Sequence, residues 1–166
     1  MLRLVKLSLY NYKLYKKMIL EWLNNNNNNS IFLKRFLFSD SYLDHDKIVS
    51  HFIYEEKNKN CDLSLTYFLY DTTINGFAGA VVFLENKNEI NELNYFYEIA
   101  PFVKEDDYEE KMFDLSLVVL KGKKINQIRF NVKKSNIRLI NKLNNHFLIL
   151  SKNDCGDYYK FAIKVS

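Results

Sequence analysis

Apolar positions along the chain change period several times, and the changes mark the elements. Leu2, Leu4 and Leu7 flank a short first strand. Tyr12, Tyr15, Ile19, Trp22 and Leu23 recur at helical spacing, which predicts a helix to about Leu23, capped by Ser8 or Asn11. Asn24 to Asn29 end it, because asparagine forms helix poorly and tolerates turns. A second helix opens at Asp44 or Asp46, carries Ile48, Val49, Phe52 and Ile53, and frays into the charged run Glu55 to Asn60. From Leu63 the period becomes two: Leu65, Tyr67 and Leu69 alternate with Thr66, Phe68 and Tyr70. Asp71-Thr72-Thr73 and Asn75-Gly76 form a turn. Phe77 to Leu84 is almost wholly apolar and reads as a central strand buried on both faces. Glu85 to Glu92 is a polar connection, and Tyr95 to Ala100 the next strand, stopped by Pro101. Tyr108 to Leu120 is a helix with Met112, Phe113, Leu115, Leu117, Val118 and Leu120 as its apolar face and Gly122 at its end. Ile125 to Val132 is a strand. Asn136 opens a short helix with Ile137, Ile140 and Leu143 inward. Phe147 to Leu150 and Tyr158 to Val165 are the last strands, with Asn153-Asp154 and Gly156 as turn. The crossover from Tyr95 to Val132 makes two neighbouring strands parallel, and the hairpins make the others antiparallel. A mixed α/β (α+β) sheet with helices on both faces follows, in one domain spanning residues 1–166.

Composition narrows the function classes. Hydrophobic residues make up 48% of the chain, with 12 Tyr and 13 Phe, so the chain folds around a core. Four Gly and one Pro argue against a turn-rich sandwich or barrel. The net charge of +4 is spread along the chain, so no nucleic-acid partner is expected. No run approaches the roughly 18 apolar residues of a membrane span, and the start has no signal-peptide core. Cys61 and Cys155 read as free thiols of a reducing cytoplasm. His45, His51 and His146 lack ligand-like spacing, so no metal is expected.

The segment Tyr95 to Met112 holds the most chemistry. A buried strand, a proline, a short polar loop and a helix start make the kind of site where converging backbone N–H groups hold a phosphate. The loop carries Glu105, Asp106 and Asp107 where such a site favours glycine. Acids there also complement a helix dipole, which needs no ligand to explain them. The neighbouring Tyr95-Phe96-Tyr97 run reads as core or as an aromatic pocket wall.

The order of elements, with four local signatures, resembles the GNAT superfamily of acetyl-CoA-dependent N-acetyltransferases. LRLVKLSLYNYKLYKKMILEW is similar to the opening of one group of predicted GNAT acetyltransferases, where LVxPS…Y…Y…M…EW is usual. LTYFLYDTTINGFAGAVV (Leu65 to Val82) is similar to that group's TYFL…D…IVGAI hairpin. IRFNVKKSN (Ile128 to Asn136) resembles its strand and DxxN helix start, and Tyr158 to Val165 its closing strand RYWIEL. The resemblance implies a GNAT-like, mostly antiparallel sheet of six to seven strands. It implies acetyl-CoA as cofactor, held by a loop of pattern R/Q-x-x-G-x-G/A. By register from Pro101, Lys104 takes the Arg position, Glu105 and Asp107 the glycine positions, Tyr108 the aromatic and Glu109 the final small position. The expected cofactor-binding residues are therefore Ile99, Ala100, Val103, Lys104, Glu105, Asp106, Asp107, Tyr108 and Asn136. Each acid close to a pyrophosphate costs on the order of a few kcal/mol in repulsion.

Further positions depart from the related group. Leu84 stands where it has Arg, Asn94 where it has His, and Leu139 where it has Ser; no Tyr lies near Leu143 to reprotonate a thiolate. Glu98 and Glu92 are the carboxylates nearest the expected amine and are the candidate general bases. Both also read, and more readily, as ordinary polar positions on strand or loop. Two functions follow: an N-acetyltransferase acting on a small-molecule or protein amine as a cytoplasmic monomer or homodimer, or a GNAT-fold binding module that has lost acetyl-CoA and catalysis.

Overall fold

The computed structural model describes residues 1–6, 10–24, 65–86, 88–89, 91–103, 107–121 and 123–165. The expected helix at Asp44 to Ile53, the asparagines after Asn24, Cys61, His45, His51, Gly122 and the loop residues Lys104, Glu105 and Asp106 lie outside these. Among the described residues seven strands form one sheet: β1 (Leu2–Val5), β2 (Leu65–Asp71), β3 (Gly76–Glu85), β4 (Glu92–Ile99), β5 (Gln127–Lys133), β6 (Ile149–Cys155) and β7 (Tyr158–Lys164). Their order is β1-β2-β3-β4-β5-β7-β6. β4 and β5 are parallel, and every other neighbouring pair is antiparallel. Helix α1 (Tyr12–Asn24) follows β1, α2 (Tyr108–Leu120) joins β4 to β5, and α3 (Ile137–His146) follows β5.

Strand alternation divides the core between the two sheet faces. Ala80 and Val82 of β3 pack with Phe68, Phe77 and the α1 residues Tyr15 and Met18. Val81 and Phe83 pack with Leu93, Tyr95, Met112 and Phe113 of α2 and Leu139 and Leu143 of α3. Helices thus cover both faces, as the pattern predicts. β3 is buried from Gly76 to Phe83, which is why its sequence lacks alternation. A bulge leaves Ala78 without a partner between the pairs Leu69↔Gly79 and Tyr70↔Phe77. Gly79 lies against β4 so closely that a Cβ there would stand 2.6 Å from the Glu98 carbonyl oxygen. The predicted turn closes as Asp71 Oδ1 accepts from Thr73 N at 2.8 Å and Asn75, at φ 46°, accepts from the Tyr70 hydroxyl at 2.7 Å.

Four expectations change. Glu92 is not in a polar connection: it opens β4 and is buried. β6 runs through Asn153 and Asp154 to Cys155, and the turn is Gly156-Asp157, with Gly156 at φ 69°. An edge strand exposing its residues carries the polar composition of a turn. Ile137 is 63% exposed while Leu139 and Leu143 are buried, because α3 starts one residue after its cap and its inward face is set from there. Val118, placed on the apolar face of α2, is 67% exposed.

Candidate functional site between parted strands

β4 and β5 pair over only three residues: Glu92↔Gln127, Leu93↔Ile128 and Asn94↔Arg129. Beyond that, β4 keeps its register with β3 from Phe83↔Tyr95 to Gly79↔Ile99. β5 keeps its own with β7 from Phe130↔Phe161 to Lys133↔Tyr158. The two strands therefore part, leaving a wedge along Tyr95 to Ile99 on one side and Phe130 to Lys133 on the other. At about 3.3 Å per residue the open stretch runs roughly 13–16 Å. Glu92 O accepts from Asn86 N at 3.1 Å, and Ala100 N donates to Ala78 O at 2.8 Å, so even-numbered β4 residues direct their backbone groups to the β3 side. The pair Asn94↔Arg129 uses the Tyr95 N–H as the last rung of the ladder, and alternation then directs the N–H groups of Tyr97 and Ile99 into the wedge. Ala100, expected beside Ile99, spends its N–H on β3.

The closed end is fastened by a carboxylate. Glu92 Oε1 accepts from Arg129 Nε at 2.6 Å and from Asn86 Nδ2. Its side chain is fully buried, and Oε2 has no hydrogen-bond partner among the described residues. The bond from Glu92 raises the Arg129 guanidinium above its ordinary value, against the pull of burial. Glu98, the other candidate base, is partly buried on β4 opposite Ala80.

The open end is bridged too. The loop after β4 leads into α2 and the loop after β5 into α3, so the starts of both helices stand at the mouth of the wedge. Asn136 caps α3, its Oδ1 accepting from Leu139 N at 3.0 Å. Its Nδ2 donates to Glu109 Oε2, which also accepts from the Tyr97 hydroxyl at 3.1 Å. Burial, and then the Glu109 charge, push the Tyr97 phenol well above its ordinary value, so it remains a proton donor. Tyr95 below it is raised mainly by burial.

At the start of α2, Asp107 makes no side-chain cap bond. Its Oδ2 pairs with Lys111 Nζ at 2.5 Å, and Oδ1 is buried without a partner among the described residues. The first α2 backbone bond runs from Lys111 N to Asp107 O, so the preceding amides lie outside the helix ladder. Val103 N is not free: it donates to Ala100 O at 3.0 Å. Tyr108 is buried with its hydroxyl donating to the Asp71 carboxylate, away from any loop ligand. Burial draws the Asp71 carboxyl up, but bonds from Tyr108 and Thr73 and the Met1 ammonium outweigh it and hold it below its ordinary value. Among the described residues no three His, Cys, Asp or Glu side chains cluster as a metal would require, and no helix is long and apolar enough to cross a membrane.

Solved structures share this architecture. The chain is similar to the Campylobacter jejuni N-acetyltransferase PseH in complex with acetyl coenzyme A, at 15% identity and TM-score 0.55, covering 100% of both chains. It is similar to the Vibrio cholerae spermidine N-acetyltransferase in complex with CoA and spermine, at 14% identity and TM-score 0.58, covering 98% of this chain and 95% of that one. It is also similar to the Thermoplasma acidophilum PaiA N-acetyltransferase in complex with coenzyme A, at 14% identity and TM-score 0.57, covering 99% of both. The chain has the GNAT fold. No protein-family model and no curated protein matches it by sequence. At these identities the likeness is one of fold, and within the GNAT fold this chain places Glu109, Tyr97 and Asn136 at the wedge mouth. Sequence reading does not bring these three together. The available signal is Glu109 at a position where the GNAT pattern has a small residue.

Proposed function

We propose that the protein is an acetyl-CoA-dependent N-acetyltransferase acting on a small-molecule or protein amine. The observation that carries this reading is the parting of β4 and β5, with two β4 amides, those of Tyr97 and Ile99, directed into the opening. Support comes from the GNAT fold and from neighbours whose structures hold acetyl-CoA or CoA. The wedge and the uncapped α2 start suit a thioester with a pyrophosphate tail; the Glu109 carboxylate at the mouth does not. Acetyl-CoA supplies the acyl group, and this chain's residues orient it and handle protons. The N–H groups of Tyr97 and Ile99 polarise the acyl oxygen. Glu98 takes the proton of the attacking amine, because Glu92 is committed to Arg129. Ala100, Val103 and Asp107 line the approach; Lys104, Glu105 and Asp106, outside the described residues, are the expected cofactor contacts by the resemblance, with Lys104 the cation for the pyrophosphate. Tyr108 acts by holding the start of α2 to Asp71, and Asn136 by lining the wedge. The reading carries with it a cytoplasmic protein, monomeric or homodimeric.

The acids at the α2 start favour a second reading, a GNAT-fold binding module without catalysis. Calorimetry with acetyl-CoA, followed by release of CoA thiol across a panel of amines including spermidine and spermine, decides between them. A saturable isotherm and amine-dependent thiol release are expected. No binding at millimolar acetyl-CoA, and no thiol release with any amine, supports the module.

A further inference from the structure

Four acids lie along the first two turns of α2 and its cap, and three have cationic partners. Asp107 pairs with Lys111, while Glu110 and Asp114 share Lys142 at 3.2 and 2.6 Å. Glu109 differs. Among the described residues its hydrogen bonds come from Tyr97 and Asn136, a phenol and an amide, and neither carries charge. Those donors belong to opposite banks of the wedge, Tyr97 to β4 and Asn136 to the helix after β5. The carboxylate thus spans the opening where no β4–β5 ladder exists.

We propose that Glu109 is an internal stand-in for the cofactor, a latch whose carboxylate occupies the acceptor position that an amide carbonyl of the pantetheine arm takes when acetyl-CoA enters. This rests on the acetyl-CoA reading above. The donors are neutral, so the arm's amides satisfy them equally well, whereas a carboxylate left beside a pyrophosphate is repelled by it. Glu109 is only partly buried and lies in the first turn of α2, so its side chain has solvent to swing into. Closed, the latch keeps Tyr97 and Asn136 satisfied; open, it surrenders both to the ligand. Glu109 is accordingly a specificity-determining residue that sets how readily the wedge admits an acyl-CoA.

The test titrates acetyl-CoA by calorimetry into the wild-type chain, Glu109→Ala and Glu109→Gln, with ring-carbon NMR of labelled tyrosines as a second readout. Glu109→Gln keeps an acceptor for Tyr97 and removes the charge, so it guards against a folding defect in Glu109→Ala. The expected result is roughly tenfold or greater tightening in both variants, and a wild-type Tyr97 resonance that moves on ligand addition. Tightening with no detectable wild-type binding also supports the latch and identifies it as fully closed. Equal affinity in all three chains, or weaker affinity in the variants, overturns the latch and leaves the acetyl-CoA reading standing. No binding in any of the three, at millimolar ligand, overturns both.

Discussion

The two ends of the β4–β5 pair are each crossed by a glutamate, and the two crossings differ in kind. At the closed end Glu92 meets a guanidinium, is fully buried and sits within a hydrogen-bonded ladder. At the open end Glu109 meets two neutral donors, is partly buried and has no ladder beside it. Removing one partner of a buried ion pair strands the other charge, whereas neutral donors accept any replacement acceptor. The first crossing is therefore a fastening and the second an exchangeable contact. The same residue type serves opposite purposes according to what it faces.

The open end rests on an aromatic floor through Tyr97, which stacks on Tyr95 at 5.4 Å, and breaking that floor carries the largest expected effect. Phe113 packs against Tyr95, Phe130 and Phe147 at centroid distances of 6.1, 5.3 and 5.6 Å. Phe113→Ala is expected to cost about 3–5 kcal/mol in denaturant unfolding. Cutting the fastening comes next. Glu92→Ala is expected to cost about 2–3 kcal/mol, less than a fully buried pair because the Arg129 side chain is 34% exposed. Glu92→Gln, which keeps an acceptor for Arg129, should cost less, and equal losses would show that charge plays no part there. At the open end Asn136→Ala is expected to lose about 1 kcal/mol as a helix cap, and Asn136→Ser to restore most of it in the same unfolding measurement. The smallest effect is a pH slope at the edge of the comparison, where Tyr108 anchors α2. The Asp71 carboxyl is held below its ordinary value in the folded state, so the unfolded chain binds more protons as the medium acidifies. Its contribution is complete above the unfolded value and is lost as pH falls through the folded one. Urea midpoints measured from neutral pH downward should fall more steeply below about pH 4 in the wild-type chain than in Asp71→Asn.

Periodicity exposes the scaffold well at β3, which writes its burial directly into an apolar run, and at Met112, Phe113 and Leu120 of α2, though not at the exposed Val118 or the buried Ser116. The β4–α2–β5 crossover, and with it the parallel pair that parts, follows from strand–helix–strand order alone. The fastening is illegible for a physical reason: Glu92 stands at the end of a polar stretch, and its partner Arg129 lies 37 residues on, so nothing local distinguishes a buried carboxylate from a loop acid. The Glu109 bridge joins residues 12 and 27 positions away and is equally nonlocal. β6 misleads differently, since edge residues such as Asn153 and Asp154 are polar because they are exposed. Tyr108 is foreseen as an aromatic of the loop pattern, but its hydroxyl is committed to Asp71 on β2, a bond that only the assembled sheet creates.

Gly79 never touches the wedge, yet it acts as its ruler. β4 lies against a bare backbone at that point, with the Glu98 carbonyl oxygen 2.6 Å and the Ile99 Cα 3.3 Å from where a Cβ would stand. Beyond Asn94 no ladder holds β4 on its other side, so a methyl group at position 79 has one direction in which to push the strand. An alanine there would shift β4 toward β5, and the aperture would narrow by way of a strand that lies outside it.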